Sequence, residues 1–590
     1  MKKLSLLLTM TLSLLFSVPG YSSNNVEGLH WLDWGDDLFV QAKSTKRYVI
    51  LDLEAVWCHW CHVMEQTTYH DKRVQKVLKD SYITVRVDQD SRPDLANRYR
   101  EYGWPATIIF APDGTEIVKR AGYIAPDNML RLLQAIVADP SPEKAATLSL
   151  PSSYSRQGLL SKELNNTLQQ RHNEAIDLLT GGLKTGQKYI DRDSLEYALH
   201  LAKKGDKTQT AWAKKTLDQA LNLFDPVWGG VYQYSTYGDW QHHHYEKIMA
   251  IQAGYLRIYA QAYALWKDPV YLQACQNIIR YLDNFMTSPE GAFYTSQDAD
   301  IVQGQHSDAY FKLNDKQRRA QGIPIIDKHI YARENGWMIE ALAYLYEATG
   351  EQAYLQRAKT AAHWVLNNRN LPAGGFRHDQ HDASGPFLGD NLAMGRAMLQ
   401  LYRATADREW LTRSITALNY IEDHFRFDLA GYTPVEYKSQ VLKPIPQLDE
   451  NISLTRFANI MAHYTGRDSF KKIATHSMRY LATEEIAISR LTEAGIILAN
   501  NELRQDPTHI TVIGAKADHD ARSFYQTALR IADPYKRIEW WDVKEGKLPN
   551  PDVQYPVLDK TAAFVCSEGR CSLPLFKEKD IIRILALQQE

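Results

Sequence analysis

Between residues 47 and 137 the spacing of apolar residues alternates between patterns typical of strands and patterns typical of helices. Apolar runs at 48–53, 82–87 and 106–110 predict strands, and the amphipathic stretches between and after them predict helices. A Pro-Asp-Gly turn at 112–114 predicts a hairpin that joins the third strand to a fourth. The resulting order is β-α-β-α-β-β-α, which is typical of an α/β layer fold.

Beyond residue 155 the apolar pattern takes a helical period. Helix-length amphipathic segments come in pairs, such as 247–266 with 271–285 and 388–404 with 409–425. A loop with glycine and an aromatic residue follows the pairs and recurs at roughly 55 to 85 residues, which predicts helical hairpins that close into a ring. An open helical solenoid is the alternative. One isolated strand is expected inside this body, at 508–514.

The amino terminus has the pattern of an export signal. Basic residues precede an apolar stretch at 4–18 that is short for a membrane span, and small residues follow it at 20–23. We expect a cleaved signal peptide, a periplasmic or secreted protein, and no membrane association after cleavage. The expected division of the chain is a signal peptide over 1–23, an α/β domain over 24–139, a linker over 140–155, a helical body over 156–545 and a tail over 546–590.

Composition narrows the choice of partners. The formal net charge of the 590 residues is −2, so no basic surface for nucleic acid or anionic membrane is expected. The chain has 14 Trp and 34 Tyr, which predicts well-filled helical cores and leaves some aromatic rings for a cleft that binds a flat apolar or sugar-like ligand. No cofactor is expected.

The chemistry begins at Cys58 and Cys61, which directly follow the strand predicted at 48–53. A cysteine at a helix N-terminus meets unpaired N–H groups and the positive end of the helix dipole, which favour its thiolate. We expect Cys58 to attack a substrate disulfide and Cys61 to resolve the mixed disulfide. A protonated His59 would favour the Cys58 thiolate further. The sequence leaves open whether the pair acts as oxidant, reductant or isomerase.

Three other uses of this segment are open. Residues 58–62 also match the c-type haem attachment pattern. His62 would be half of a zinc site, but no second cysteine pair lies near it in the sequence, so no metal is expected. The third alternative is a structural disulfide without turnover.

This segment resembles the thioredoxin superfamily. Three features carry the resemblance: the Trp-Cys-His-Trp-Cys sequence at 57–61, the acid at Asp52, and the Trp-Pro-Ala-Thr sequence at 104–107. The resemblance implies that Asp52 is a buried acid that assists proton transfer at Cys61. It also implies that Pro105 is a cis-proline facing the dithiol.

The longer sequence Cys-His-Trp-Cys-His-Val-Met at 58–64 is more specific. It resembles the hallmark of the thioredoxin-domain-containing family that includes spermatogenesis-associated protein 20. Further similar segments are 240–247, 297–300, 335–339, 387–390 and 565–574. The resemblance implies a multidomain protein with an α/β thioredoxin-like domain followed by an all-α (α/α)6 barrel of the six-hairpin glycosidase type. The family's Ser-Gly-Asn element is replaced here by Asp-Glu-Asn at 449–451.

Sugar-active proteins with such a barrel use acids and histidines in a central cleft. The candidates at loop-to-helix junctions of this chain are His244, Glu246, Asp298, Asp300, Glu334 and Asp390. Two facing carboxylates could perform glycosidic acid–base chemistry, and a histidine with an acid could move a proton beside a carbonyl, as an epimerase needs. Helix capping and ion pairing are the alternative interpretation of these residues.

The remaining cysteines predict one further disulfide. Cys566 and Cys571 flank a short segment that contains Gly569, and export would allow them to pair. Exchange of this pair with Cys58 and Cys61 is the alternative. Cys275 lies in the amphipathic segment 271–285 and is expected to be a buried, inert thiol.

Together these patterns predict an exported thiol–disulfide oxidoreductase fused to a carbohydrate-enzyme-like barrel. Its expected partners are protein thiols and disulfides, with a carbohydrate as a second candidate. The alternatives are a sugar-processing enzyme, epimerase- or glycosidase-like, with an accessory thioredoxin domain, and a non-catalytic binding protein.

Overall fold

The computed structural model of the chain describes residues 28–35, 37–144, 151–382, 384–438, 440–567 and 570–587. The expected signal peptide at 1–23 lies outside these residues. Within them, every helix is too short or too polar to span a bilayer.

The first unit is a four-stranded sheet with helices on both faces. Its strands are β1 (Tyr48–Glu54), β2 (Tyr82–Asp88), β3 (Ala106–Phe110) and β4 (Glu116–Ala121). Its helices are α1 (Asp37–Thr45), α2 (His59–Thr67), α3 (Lys72–Ser81), α4 (Pro93–Arg98) and α5 (Pro126–Ala138). The strand order is β2-β1-β3-β4, with β1 parallel to β2 and the other neighbours antiparallel.

The apolar run of β1 is explained by burial on both faces of the sheet. Ile50 packs in a cluster with α3 and α5, whereas Val49 and Leu51 pack in a cluster on the other face with α1. A central strand that is covered on both sides reads as a continuous apolar run. The expected α/β unit is therefore confirmed, and its strands lie where the sequence predicted them.

The middle region consists mainly of helices. They are α6 (Lys162–Ala175), α7 (Arg192–Lys203), α8 (Lys207–Ala220), α9 (Met249–Trp266), α10 (Pro269–Tyr281), α11 (Asp308–Phe311), α12 (Asp315–Gln321), α13 (Ala332–Thr349), α14 (Gln352–Asn368), α15 (Leu388–Thr405), α16 (Arg408–Phe425), α17 (Leu448–Thr465), α18 (Asp468–Leu481), α19 (Glu484–Ala487) and α20 (Ala494–Arg504). Short strands lie between them: β5 (Tyr234–Thr236), β6 (His242–His244), β7 (Lys247–Ile248), β8 (Ser296–Gln297) and β9 (Ile326–Asp327).

These helices pack in pairs around a closed ring. Helices α7, α9, α13, α15, α17 and α20 each contact the next, and α20 contacts α7. Their outer partners are, in the same order, α8, α10, α14, α16, α18 and α6. Helix α15 is buried on nearly all sides, whereas α16 exposes one face to solvent. This difference is expected between the inner and the outer helices of a ring. An open solenoid would leave α7 and α20 apart.

The segments before α9 and α13 lie side by side. Strand β8 pairs with both β7 and β9, so Lys247 faces Gln297 and Gln297 faces Ile326. This small sheet places the loop at 298–304 at the end of the ring where the inner helices begin. The sequence candidates Glu246 and Asp298 flank paired strands of this sheet.

The carboxyl-terminal part differs from the expectation. Strand β10 (Thr508–Ile513) is not isolated, since it is central in a second sheet with β11 (Lys536–Trp541), β12 (Ala562–Ser567) and β13 (Arg570–Cys571), flanked by α21 (His519–Leu529) and α22 (Glu578–Leu587). The boundary expected at 545 therefore falls inside this unit. Its order β11-β10-β12-β13 and its strand directions repeat those of the first sheet.

Candidate functional site: the dithiol and the end of the ring

The two cysteines lie at the start of α2. Cys58 caps the helix, and its Sγ accepts a hydrogen bond from the backbone N–H of Cys61 at 3.2 Å. The two residues form a disulfide with a Cα–Cα distance of 5.2 Å. Each is only 4% exposed. The structure therefore places Cys58 where a helix N-terminus stabilises a thiolate, but shields it from solvent.

Residues of both units cover the disulfide. The peptide bond between Trp104 and Pro105 is cis, and it directly precedes β3. The Trp104 ring packs against the cluster that contains the disulfide, and so does Ile248 from the ring. The face of the first unit that carries the disulfide is thus docked onto the helical ring.

Asp52 lies in β1, buried opposite Arg86 of β2. The Arg86 Nε atom is 3.4 Å from Asp52 Oδ2 and 3.4 Å from Glu54 Oε2, and its Nη1 atom is 3.1 Å from Glu65 Oε1. Burial raises the pKa of Asp52 to about 6, although Arg86 opposes the shift. A carboxyl group that titrates near neutral pH is suited to exchanging a proton during a reaction.

Two histidines of α2 contact the loop that follows β8. His59 Nδ1 donates to Asp300 at 2.9 Å. His62 Nδ1 lies 3.4 Å from Asp300 Oδ2 and 3.9 Å from Asp298 Oδ2. All four side chains are buried. The Cys-His-Trp-Cys-His sequence therefore supplies two interdomain contacts as well as the dithiol.

Backbone donors hold both aspartates in place. Asp298 Oδ1 accepts from the N–H groups of Ala299 at 2.7 Å and of Asp300 at 3.1 Å. Asp300 Oδ2 accepts from the N–H of Gly304 at 2.8 Å. Burial raises the pKa of Asp298 to about 6. Burial also opposes ionisation of Asp300, but the hydrogen bonds from His59 and His62 outweigh it and lower its pKa to about 2.

Two more sequence candidates border this contact. Glu246 is buried, and burial together with the charges of Asp298 and Asp300 raises its pKa to about 8. His244 stacks on Tyr234 with ring centroids 4.2 Å apart. Burial, with the charge of His59, lowers the pKa of His244 to about 4. His244 is therefore neutral near pH 7, whereas Glu246 retains a proton.

The other two candidates form a separate cluster. Glu334 Oε1 accepts from Arg333 Nη2 at 2.6 Å, and Asp390 Oδ1 accepts from the Arg333 N–H at 2.8 Å. His378 Nδ1 donates to Asp390 Oδ1 at 2.8 Å, and His378 Nε2 donates to the carbonyl oxygen of Asp90 at 2.7 Å. Burial opposes a charge on His378, but Asp390 outweighs it and raises the pKa to about 9.

The first unit also reaches this second cluster with side chains. Asp90 Oδ2 accepts from the Trp57 indole N–H at 2.8 Å, next to the disulfide. The Asn97 amide donates to Glu450 Oε1 at 3.1 Å. Burial raises the pKa of Asp90 to about 7 and that of Glu450 to about 8. The carboxylates at this end of the ring are thus covered by the thioredoxin-like unit.

Sequence reasoning missed the residues that complete these clusters: His62 as an interdomain contact, and Asp90, His378 and Glu450. Asp90 stands in an acidic loop after a strand, and His378 stands in a glycine-aromatic loop, which are weak local signals. Each also has a partner in the other unit, and no local spacing reveals such a contact.

A cavity lies at the other end of the inner helices, against the carboxyl-terminal unit. Its lining includes Glu196, His200, Lys203, Glu347 and Lys536. None of the candidate residues predicted from the sequence lines it. The predicted chemistry therefore concentrates at the end of the ring that faces the dithiol.

Comparison with known proteins agrees with the sequence resemblance. Residues 19–138 match the family model Thioredox_DsbH, described as protein of unknown function, DUF255. Spermatogenesis-associated protein 20 from Homo sapiens is 25% identical over 305 residues, which cover 46% of this chain and 39% of that protein. Thiol:disulfide interchange protein DsbD from Ralstonia nicotianae is 34% identical over 103 residues, 17% of each chain. The chain thus spans less than half the length of these curated relatives.

Some solved structures are similar to part of this chain. A sugar epimerase from a ruminal bacterium has a TM-score of 0.42 at 15% identity and covers 54% of this chain and 86% of its own. A D-mannose isomerase has a TM-score of 0.45 at 12% identity and covers 60% and 99%. The family-model match and the similarity to spermatogenesis-associated protein 20 confirm the resemblance to the thioredoxin-like family that includes that protein.

Proposed function

We propose that this chain, whose residues 19–138 match the Thioredox_DsbH family, is an exported thiol–disulfide oxidoreductase in which an (α/α)6 barrel covers the dithiol. One observation carries the proposal: Cys58 caps helix α2, and Cys61 is disulfide-bonded to it one turn further on. The matching segment of proteins named thiol:disulfide interchange protein supports this chemistry. Export is supported by the signal pattern at 1–23.

The reaction follows from the positions of the two cysteines. In the reduced protein the Cys58 thiolate attacks a partner disulfide, which forms a mixed disulfide and releases one partner thiolate. The Cys61 thiolate then attacks Cys58 Sγ, which forms the internal disulfide and releases the second partner thiolate. The partner gains two electrons. Asp52 accepts the proton that Cys61 gives up, as its pKa near neutrality permits. The reverse sequence oxidises a dithiol partner.

Burial of the disulfide sets a condition on its partners. A protein thiol reaches Cys58 only when α2 separates from the barrel, which breaks the contact between His59 and Asp300. A small thiol needs less room. We therefore expect the barrel to act as a cap that sets the rate at which the dithiol meets protein thiols and disulfides.

A second candidate function is sugar processing in the barrel. The cluster of Glu334, Asp390 and His378 favours it, because it joins carboxylates and a histidine at one end of a helical ring. However, both ring nitrogens of His378 are already hydrogen-bonded, one of them to Asp90 of the thioredoxin-like unit. A sugar would have to displace that unit, so thiol–disulfide exchange is the better-supported function.

A trapping experiment tests the proposal. Full-length Cys61→Ser protein, reduced and offered a disulfide-bonded protein, should accumulate a mixed disulfide at Cys58 because the resolving thiol is missing. Cys58→Ser protein is the matched control and should trap nothing. Equal behaviour of the two variants would contradict the assigned roles. Formation of sugar products by a Cys58→Ser/Cys61→Ser double variant would support the second candidate, and trapping without turnover would support a non-catalytic binding protein.

A further inference from the structure

We propose that His62, Asp298 and Asp300 bind a divalent first-row transition metal ion, with zinc as the first candidate, and that this ion joins helix α2 to the barrel loop at 298–304. Each residue offers one ligand atom, and the three atoms lie within 4.8 Å of one another. From the sequence, His62 is half of a zinc site at most, because no second cysteine pair lies near it along the chain. The fold brings Asp300 to it from 238 residues away.

The distances suit a metal centre. His62 Nδ1 is 3.4 Å from Asp300 Oδ2 and 3.9 Å from Asp298 Oδ2. Ligand atoms around tetrahedral zinc with bonds of about 2.0–2.2 Å are separated by about 3.3–3.6 Å. All three atoms lie within 4.8 Å of one another, so side-chain movements of about 1 Å or less would bring them to these separations.

Asp298 is the strongest sign that the cluster is built for a cation. It is 2% exposed, and its Oδ1 atom is held by the backbone N–H groups of Ala299 and Asp300. Its Oδ2 atom, the one nearest His62, is buried and has no hydrogen-bond partner among the described residues. A buried carboxylate oxygen without a partner is costly, and a bound cation would remove that cost.

The surroundings orient the ligands. His59 Nδ1 at 2.9 Å and the Gly304 N–H at 2.8 Å both hold the Asp300 carboxylate, which is the role of the outer residues of metal sites. Glu246 adds a third buried carboxyl group, and its Oε2 atom also has no hydrogen-bond partner in the part of the chain that the structure describes.

The ligand types select the class of metal. Imidazole nitrogen with carboxylate oxygen suits zinc, manganese or iron, whereas calcium and magnesium prefer oxygen alone. Thiolate coordination is excluded in the oxidised protein, because Cys58 and Cys61 are bonded to each other. His62 follows Cys61 directly, so a bound ion would hold the disulfide-bearing helix against the barrel.

Metal titration of the oxidised, untagged full-length protein tests the site. After removal of metal by a chelator and dialysis, Zn²⁺ measured by calorimetry and Co²⁺ measured by absorption should each bind one site. Asp298→Asn should weaken that binding at least ~10-fold, since loss of even an outer partner has such an effect. Asp308→Asn, which alters an exposed carboxylate nearby, is the matched control and should bind as the unchanged protein does.

Three outcomes of the titrations would overturn the site. The first is binding that is unchanged in Asp298→Asn. The second is binding that is lost in His242→Ala, which alters an exposed histidine of strand β6. The third is no binding at millimolar metal. X-ray absorption of the zinc-loaded unchanged protein identifies the ligand atoms directly, so the site can be tested even if Asp298→Asn fails to fold. We expect one imidazole and otherwise oxygen ligands, and a sulfur ligand would overturn the site.

Discussion

His59 Nδ1 on the helix that carries the dithiol lies 2.9 Å from the carboxylate of Asp300, which is 241 residues further along the chain. Both side chains are buried. Removing one partner from a buried charged contact is strongly destabilising, because the other remains desolvated. This contact therefore links access to the disulfide to the packing of two structural units.

The first prediction concerns Asp300→Asn. The amide removes the charge that faces His59 and His62, and losing a hydrogen bond to a charged group costs about 1.5–3 kcal/mol. We expect helix α2 to separate from the barrel more often, so that a reduced dithiol protein such as thioredoxin reduces the Cys58–Cys61 disulfide at least ~10-fold faster in native protein. Alkylation and mass spectrometry at timed intervals, with chelator present throughout, measure the rate. Asp308→Asn should keep the original rate, and an unchanged rate in Asp300→Asn would refute the cap.

The second prediction follows from His378. Its pKa is raised from 6.5 to about 9, so the stability that it contributes is fully present below pH 6.5 and is lost as the pH rises through about 9. Relative to His378→Asn, the unchanged protein should therefore lose an advantage of the order of 3 kcal/mol across that range. Denaturant midpoints of both proteins at several pH values measure this. A difference that stays constant with pH would show that His378 is not charged in the folded protein.

The third prediction concerns Asp52, whose raised pKa also makes stability fall as the pH rises, here because burial disfavours the charged form. Burial raises its pKa from 3.8 to about 6, so the proton is held more tightly in the folded protein, and stability is lost as the pH rises from about 4 through 6. Asp52→Asn should therefore stabilise the protein at pH 7, by about 1–3 kcal/mol, and have little effect near pH 4. Arg86 keeps Glu54 and Glu65 as partners in the variant. Equal effects at both pH values would contradict this assignment. If Asp52 also serves Cys61, the variant should exchange disulfides more slowly despite its greater stability.

The fourth prediction concerns the other three cysteines. The structure pairs Cys566 with Cys571 and leaves Cys275 as a buried thiol, and burial raises the pKa of the Cys275 thiol. Peptide mapping of unreduced protein should show the Cys566–Cys571 crosslink, and iodoacetamide should modify Cys275 only after denaturation. A bridge from Cys275 to either tail cysteine would contradict this pairing.

The parts of the fold that the sequence predicted depend on local patterns. The apolar run of β1 and the Cys-x-x-Cys sequence after it lie within a few residues of each other, so both were found together. The paired helices of the ring also have local periodicity. Closure of the ring has no local pattern in the sequence, because it depends on the contact between α20 and α7.

Other parts of the fold and of the site were not predicted, either because polar residues interrupt the apolar pattern of a strand or because the contacting residues lie far apart in the sequence. Strand β11 carries Lys536, Arg537 and Glu539, all buried through ion pairs, so its sequence does not read as a buried strand. His59 and Asp300 were both candidates, but in separate roles. Only the fold shows that they touch.

The most direct test of the whole account is a redox titration of the Cys58–Cys61 pair in folded, full-length protein. The titration uses a Cys566→Ser/Cys571→Ser variant, which lacks the second disulfide, so that only the Cys58–Cys61 disulfide is reduced. Samples equilibrated in thiol buffers are quenched with acid, alkylated and weighed by mass spectrometry. We expect reversible reduction with a midpoint between about −270 and −120 mV, the range of thioredoxin-fold dithiols. A pair that stays oxidised below about −300 mV until the protein is denatured would be a structural disulfide, and the proposed function would be refuted.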